Sequence, residues 1–322
     1  MNSLVMQMEY KLSKAVLFLI FNRPHTTQRV FEAIRQARPP RLYVAADGPR
    51  ADREEEAEKV AQAREIATQV DWPCEVNTLF REKNLGCKIA VSSAITWFFE
   101  HEEKGIILED DCLPHPDFFR FCDELLEYYE QDERVWVITG NNFQDGQWRG
   151  KASYYFSKYN HCWGWATWKR AWSKYDVNIS FWPAWSKSSA WQNLHFNSVE
   201  EGYWRKIFNR VYSSEINTWD YQWTACVWYH GGLTATPNVN LVSNIGFGSD
   251  ATHTKTAGHI HANLPVFPIG EIQHPSEVAV DVEADKYTFN EHFGGKFIHS
   301  PLSVIRLFKE KLYRFLFFKS SS

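Results

Sequence analysis

The sequence predicts an α/β fold: a mixed, mostly parallel sheet with helices on both faces. Three observations predict it. Short apolar runs, AVLFLIF at 15–21, RLYVAA at 41–46 and GIIL at 105–108, read as buried strands. Segments of helical length separate them, which implies βαβ units. Turn residues, Asn22-Arg23-Pro24 and Asp47-Gly48-Pro49, end the first two strands abruptly.

In order, the strand at 15–21 is followed by a helix at 26–37, capped by Thr26 or Thr27. A second strand at 41–46 leads into a charged helix at about 51–69 and a third strand at 74–80. A helix at 87–100 and a strand at 105–108 complete the regular alternation, and PDFFRF opens a further helix-like segment. Ligands of such sheets sit beyond the carboxyl ends of the strands. After residue 135 the alternation is lost. Strands are expected at 135–139, 152–157 and 232–237, and helices at 164–172, 202–212 and 221–230. Residues 246–258 have the glycine-rich composition of a mobile loop that could close as a lid. The predicted layout is one domain over 1–300, with a nucleotide-sugar-binding half at 15–140 and a Trp-rich acceptor and catalytic half at 141–270. A basic amphipathic helix closes it at 301–322.

A chain of 322 residues with 44% hydrophobic and 23% charged residues has ample core. A net charge of −4 argues against non-specific nucleic-acid binding. All fifteen tryptophans but Trp72 and Trp97 lie between Trp136 and Trp228, which suggests two functional halves. Six cysteines without a CxxC pair read as reduced thiols, and the first apolar run is too short to span a bilayer. The expected location is therefore cytoplasmic. In 301–319, Val304, Phe308, Leu312 and Phe315 share one helical face amid Arg306, Lys309, Lys311, Arg314 and Lys319. Such a helix suits either an anionic membrane surface, at its inner face, or docking on the protein's own core.

The functional question lies in GIILEDDCLPHPDFFRF, residues 105–121. Glu109, Asp110 and Asp111 stand together at a strand end, where repulsion and desolvation call for a cation. All-oxygen ligands suit Mg²⁺ or Mn²⁺, which are commonly bound through one or two carboxylates plus substrate phosphates. A nucleotide diphosphate is the implied substrate. No G-x-x-x-x-G-K-[ST] is present, and FNRPHTT follows the first strand instead of G-x-G-x-x-G. These absences argue against P-loop phosphotransfer and dinucleotide oxidoreduction. The missing glycines also disfavour a sugar-phosphate nucleotidyltransferase.

IILEDDCLPHPDFFRF resembles the donor-site segment of the N-acetylglucosaminyltransferase I family and, more widely, nucleotide-sugar glycosyltransferases of the GT-A fold, including bacterial enzymes that build surface polysaccharides. VAADGPR and WDYQW resemble the same family. The resemblance implies a GT-A-like, Rossmann-type sheet and metal-dependent, inverting transfer from a nucleotide-diphosphate sugar, UDP-linked by preference, to a glycan or lipid-linked acceptor. It implies Asp111 as the metal ligand, with Glu109 and Asp110 orienting the metal shell and the donor, and Arg23 and Asp47 in the donor site. Its catalytic base matches Asp220, flanked by Trp219 and Trp223; Asp176 and Glu215 are the other candidates. Asp220 would also serve as an N-cap of the following helix. His253 matches a histidine that reaches the metal or diphosphate, although loop histidines are commonly just solvated. Arg81, Lys88 and Lys255 are candidates for neutralising phosphate. Trp163, Trp165 and Trp219 are the expected sugar contacts, with most other indoles in the core. The alternative is a catalytically silent nucleotide- or carbohydrate-binding protein on the same scaffold.

Overall fold

A computed structural model describes residues 10–247 and 262–298. The first half alternates as expected: β1 (Ala15–Ile20), α1 (Pro24–Ala37), β2 (Arg41–Ala46), α2 (Glu56–Ala67), β3 (Glu75–Phe80), α3 (Gly86–His101) and β4 (Lys104–Glu109). Then come β5 (Cys112–Pro114), α4 (Pro116–Tyr128), β6 (Val135–Thr139), β7 (Tyr154–Ser157) and β8 (Trp165–Trp168). Short helices α5 (Lys169–Trp172), α6 (Trp182–Trp185) and α7 (Ser189–Asn193) precede α8 (Ser198–Tyr212) and α9 (Asp220–Tyr229). The described chain closes with β9 (Leu233–Pro237), β10 (Val242–Asn244) and α10 (Val282–Glu291).

Eight strands form one sheet in the order β3-β2-β1-β4-β8-β6-β9-β7, and β5 pairs antiparallel with β10 beside it. Only β8 and β7 run against the rest, so the sheet is mixed but mostly parallel, of Rossmann-like type. Strand alternation explains how both faces are filled. Val16, Phe18 and Ile20 of β1 point into a core shared with α1, α2 and α4. Ala15, Leu17 and Leu19 point into the opposite core, shared with α3 and α5 to α10. The sheet therefore has helices on both faces, and it runs through both predicted halves.

Two local expectations are corrected. Residues 164–172, expected as one helix, form strand β8 followed by the single turn α5. β8 lies between β4 and β6 and pairs antiparallel with both, so two neighbours satisfy its backbone. Its side chains alternate, Trp165 into one core and Ala166 and Trp168 into the other. The α1 cap is also misplaced in the sequence reading. The helix starts at Pro24, whose fixed φ suits a first helical position, and Arg23 becomes the cap residue without a side-chain capping bond. Thr27 instead donates its hydroxyl to the Arg23 carbonyl at 2.8 Å.

All six cysteines are free. Twelve of the fifteen tryptophans are buried, all but Trp97, Trp148 and Trp163. Among the described residues, no helix is long and apolar enough to cross a membrane. His253, Lys255, most of the 246–258 loop and the whole 301–319 helix lie outside the described residues.

Candidate functional site

Four neighbouring parallel strands end at one cleft of about 320 Å³. The residues just past β1 contribute Phe21 and Arg23, those past β2 Asp47 and Arg50, and Arg81 follows β3. β4 contributes Glu109 and, beyond it, Asp110 and Asp111. Also lining it are Cys162 and Trp163, which precede β8, and Thr218, Trp219 and Asp220 at the start of α9. Asn244, Gly246 and Phe247, at and beyond the end of β10, complete the rim. The volume falls within the usual range for small-molecule sites, about 300–1,000 Å³.

The acidic triplet is paired by a side chain of the protein itself. Arg23 donates Nη1 to Asp111 Oδ2 at 2.8 Å and Nη2 to Asp110 Oδ1. Asp110 is buried and also accepts from the Phe21 amide at 3.1 Å. Burial raises its pKa, against the pull of Arg23. The Glu109 carboxyl has no hydrogen-bond donor among the described residues. Burial, then the charge of Asp111, pushes its pKa up to about 8, with Arg23 opposing and Asp110 and Asp220 adding to the rise. Among the described residues one guanidinium thus answers two carboxylates and leaves Glu109 without a paired cation.

That shortage bears on the metal expected from the sequence. Among the described residues, no group of three or more His, Cys, Asp or Glu side chains is arranged to hold an ion. Asp111 still has Oδ1 turned only toward the Cys112 thiol, at 3.5 Å. A hard cation held through one or two carboxylates, with the rest of its shell from a ligand, fits this donor set. A preformed cage of protein ligands does not.

The other cations of the cleft are placed differently. Arg50 is held by buried Glu56, which also accepts from Asn22 Nδ2 at 2.8 Å. Burial alone would raise the Glu56 pKa, but Arg50 and Asn22 overcome it and lower it. Arg81 donates to Ser93 Oγ at 2.6 Å and pairs with no carboxylate among the described residues. Asp47 accepts from the amides of Gly48, Leu85 and Gly86, so its oxygens bind the loop that opens α3. Gly48 has to be glycine for that packing, because a Cβ there would meet the Lys83 backbone at 2.5 Å.

Asp220 is not the helix cap that its position suggests. It is the first residue of α9, the cap residue is Trp219, and no side chain caps the helix. Its Oδ1 accepts from the Thr218 hydroxyl, and its backbone carbonyl accepts from Thr224 Oγ1 at 3.1 Å. Its charge is felt by Glu109 and by the thiols of Cys87 and Cys162. Burial first, then Glu109 and Asp220, pushes Cys87 up to about 12, so that thiol stays protonated.

The cleft therefore gathers Arg23, Asp47, Arg81, Glu109, Asp110, Asp111, Trp163, Trp219 and Asp220 from the residues singled out in the sequence. It leaves out Lys88 and Trp165. Trp165 is only 1% exposed and stacks on Trp219, itself 3% exposed, with ring centroids 5.7 Å apart, so both indoles are core. Trp165 has no open face for a sugar, and Trp219, though it reaches the cleft, is nearly enclosed. Asp176 is spent on the turn at Asn178 and Ser180, and Glu215 pairs with Arg210 at the surface. The sequence reading missed Arg50, Thr218, Asn244 and Gly246. Asp-Gly-Pro-Arg and Thr-Trp-Asp carried a signal for the first two; nothing local marks the others.

The fold and cleft define an α/β protein with a Rossmann-like sheet and an acidic cleft at its strand ends. No protein-family model matches the chain, and no curated protein matches it in sequence. Loose likenesses exist among solved structures. CMP:2-keto-3-deoxy-manno-octonic acid synthetase complexed with CTP is similar at 14% identity over 70% of this chain and 89% of that one, with a TM-score of 0.35. HddC from Yersinia pseudotuberculosis matches at 9% identity over 49% and 77%, TM-score 0.27. UDP-glucose pyrophosphorylase complexed with UDP-glucose matches at 13% over 45% and 62%, TM-score 0.25.

Proposed function

We propose that this chain is a metal-dependent, inverting glycosyltransferase of GT-A type that moves a sugar from a nucleotide-diphosphate donor, UDP-linked by preference, to a glycan or lipid-linked acceptor. One observation carries the reading. The strand-end carboxylates Glu109, Asp110 and Asp111 and Asp220, which a different element supplies at the start of α9, line the same cleft. Inverting transfer needs that division of labour: a donor side that accepts a charged diphosphate, and a base on the acceptor side.

The residues divide as follows. Asp111 would hold the cation, which when bound supplies charge for the departing nucleoside diphosphate. Arg81, which has no carboxylate partner among the described residues, would bind phosphate oxygens. Asp47 and Glu56 act indirectly, the first by fixing the loop that opens α3, the second by bracing Arg50 at the rim. Asp220, oriented by Thr218, takes the proton of the acceptor hydroxyl as that oxygen attacks the anomeric carbon. Trp163, half-buried and edge-on to Phe247 at 5.7 Å, offers an aromatic face to the acceptor. The segment 15–140 and the Trp-rich segment 141–270, which share the one sheet, would serve as donor and acceptor halves of one domain.

Calorimetric titration of UDP with and without Mn²⁺ is the direct test, followed by a screen of nucleotide sugars for metal-dependent turnover. Tight UDP binding only with Mn²⁺, together with turnover of one donor, supports the reading. Metal-indifferent binding without turnover of any donor would make the chain a silent binding protein.

A further inference from the structure

We propose that Arg23 is the resident counter-cation of the acidic triplet, occupying the carboxylates until metal and nucleotide arrive together and release it. The inference rests on the metal–nucleotide site of the preceding section, and goes beyond it in giving Arg23 a competitive role. Three observations carry it. The guanidinium bridges Asp110 and Asp111, the latter at 2.8 Å, so it lies on the carboxylate that would receive the cation. It has no other side-chain partner among the described residues, and its own backbone carbonyl is pinned by Thr27, so only the side chain needs to move. The chain after β10 closes over the pair. A Cβ on Gly246 would stand 2.7 Å from Arg23 Nη1 and 2.6 Å from Asp111 Cβ, a close approach that glycine alone permits.

The physical argument is one of charge. Without Arg23, Asp110 and Asp111 would sit side by side in a buried place with no compensating cation, which is unfavourable. With Arg23 there, a divalent ion reaching Asp111, even at Oδ1, meets a like charge on Oδ2 of the same carboxylate, and full use of that carboxylate requires the guanidinium to leave. The displaced guanidinium needs a new anion, and a diphosphate in the same cleft offers one, with the planar two-pronged geometry that suits arginine. Metal and nucleotide then favour each other's binding, because each removes the cost of the other's entry. If Asp111 is free of Arg23 one-tenth of the time, metal alone binds about tenfold more weakly than its intrinsic affinity.

The experiment is Mn²⁺ titration, by calorimetry and by the electron paramagnetic resonance of free Mn²⁺, on the full chain with and without UDP. Arg23→Gln should bind Mn²⁺ alone about tenfold more tightly than wild type, and added UDP should improve its Mn²⁺ affinity less than it does in wild type. Arg23→Lys keeps the charge but a single ammonium cannot bridge two carboxylates. It should bind Mn²⁺ alone with intermediate affinity, and it serves as the deciding variant if the glutamine protein does not fold. Equal or weaker Mn²⁺ affinity in the folded variants, while wild type still binds Mn²⁺ with UDP, overturns the counter-cation role and leaves the donor site standing. Absence of Mn²⁺ binding by wild type with and without UDP overturns both.

Discussion

Asp220→Asn separates chemistry from architecture. The substitution keeps an oxygen able to accept from the Thr218 hydroxyl, so the side chain retains its only side-chain partner among the described residues. The helix should also survive. Asp220 is not the cap of α9, so the loss of about 1 kcal/mol that follows removal of a capping side chain does not apply. What is lost is the favourable placement of a negative charge in the first turn, about 0.3–1 kcal/mol, offset by relief of repulsion with Glu109. Stability should therefore change by less than about 1 kcal/mol. Catalysis should change far more. Removing a general base costs about 10²–10⁴-fold, which at about 1.36 kcal/mol per decade is roughly 2.7–5.4 kcal/mol of barrier. The assay pairs UDP release under single-donor conditions with donor affinity by calorimetry and a thermal melt. A variant with normal melting and normal donor affinity but near-wild-type transfer would refute the base assignment. A variant that loses donor affinity and melts early, with unchanged turnover of what donor it binds, would make Asp220 structural.

Other tests address the Trp-rich half and its buried charges. Trp165→Ala removes a fully enclosed indole and should cost about 3–5 kcal/mol in urea unfolding, whereas Trp163→Ala should cost less and instead raise the acceptor KM. Equal destabilisation by the two, with acceptor KM unchanged in Trp163→Ala, would remove Trp163 from the acceptor site. Burial pushes the Asp285 pKa from 3.8 up to about 7, against Ser157, Lys158 and the Lys158 amide, with Glu200 adding to the rise. A carboxyl whose folded pKa is raised contributes stability that is complete below about pH 3.8 and is lost as pH rises through 7. Urea midpoints should therefore fall over that window in wild type and fall less in Asp285→Asn; parallel profiles would contradict the assignment.

The strands of the first half and the place of the acidic triplet were legible in the sequence for local reasons. An unbroken apolar run between turn residues can only be a buried strand or a short piece of helix, and Asn22-Arg23-Pro24 and Asp47-Gly48-Pro49 decided for strand. Adjacent carboxylates at such a strand end announce a charge problem without any knowledge of the fold. Aromatic runs are less informative. Trp165-Ala166-Thr167-Trp168 became a strand because β4 and β6 stand open on either side of it, a fact of sheet order that no window of residues contains. The same holds for the tryptophans: composition marked the region, but packing between α3 and α5 to α9 decided that Trp165 is core and Trp163 is not.

The sequence by itself thus determined the α/β class, the chain's acidic balance and which carboxylates gather at a strand end, because period, composition and adjacency are properties of neighbours in the chain. Tertiary structure alone decided that Arg23 answers the charge of Asp110 and Asp111, that Asp220 lines the same cleft as Glu109 and does not cap α9, and that Gly246 presses on Asp111. Each of these joins residues far apart in sequence, and their meeting depends on how four strand ends, the start of α9 and the segment after β10 converge when both faces of the sheet are covered.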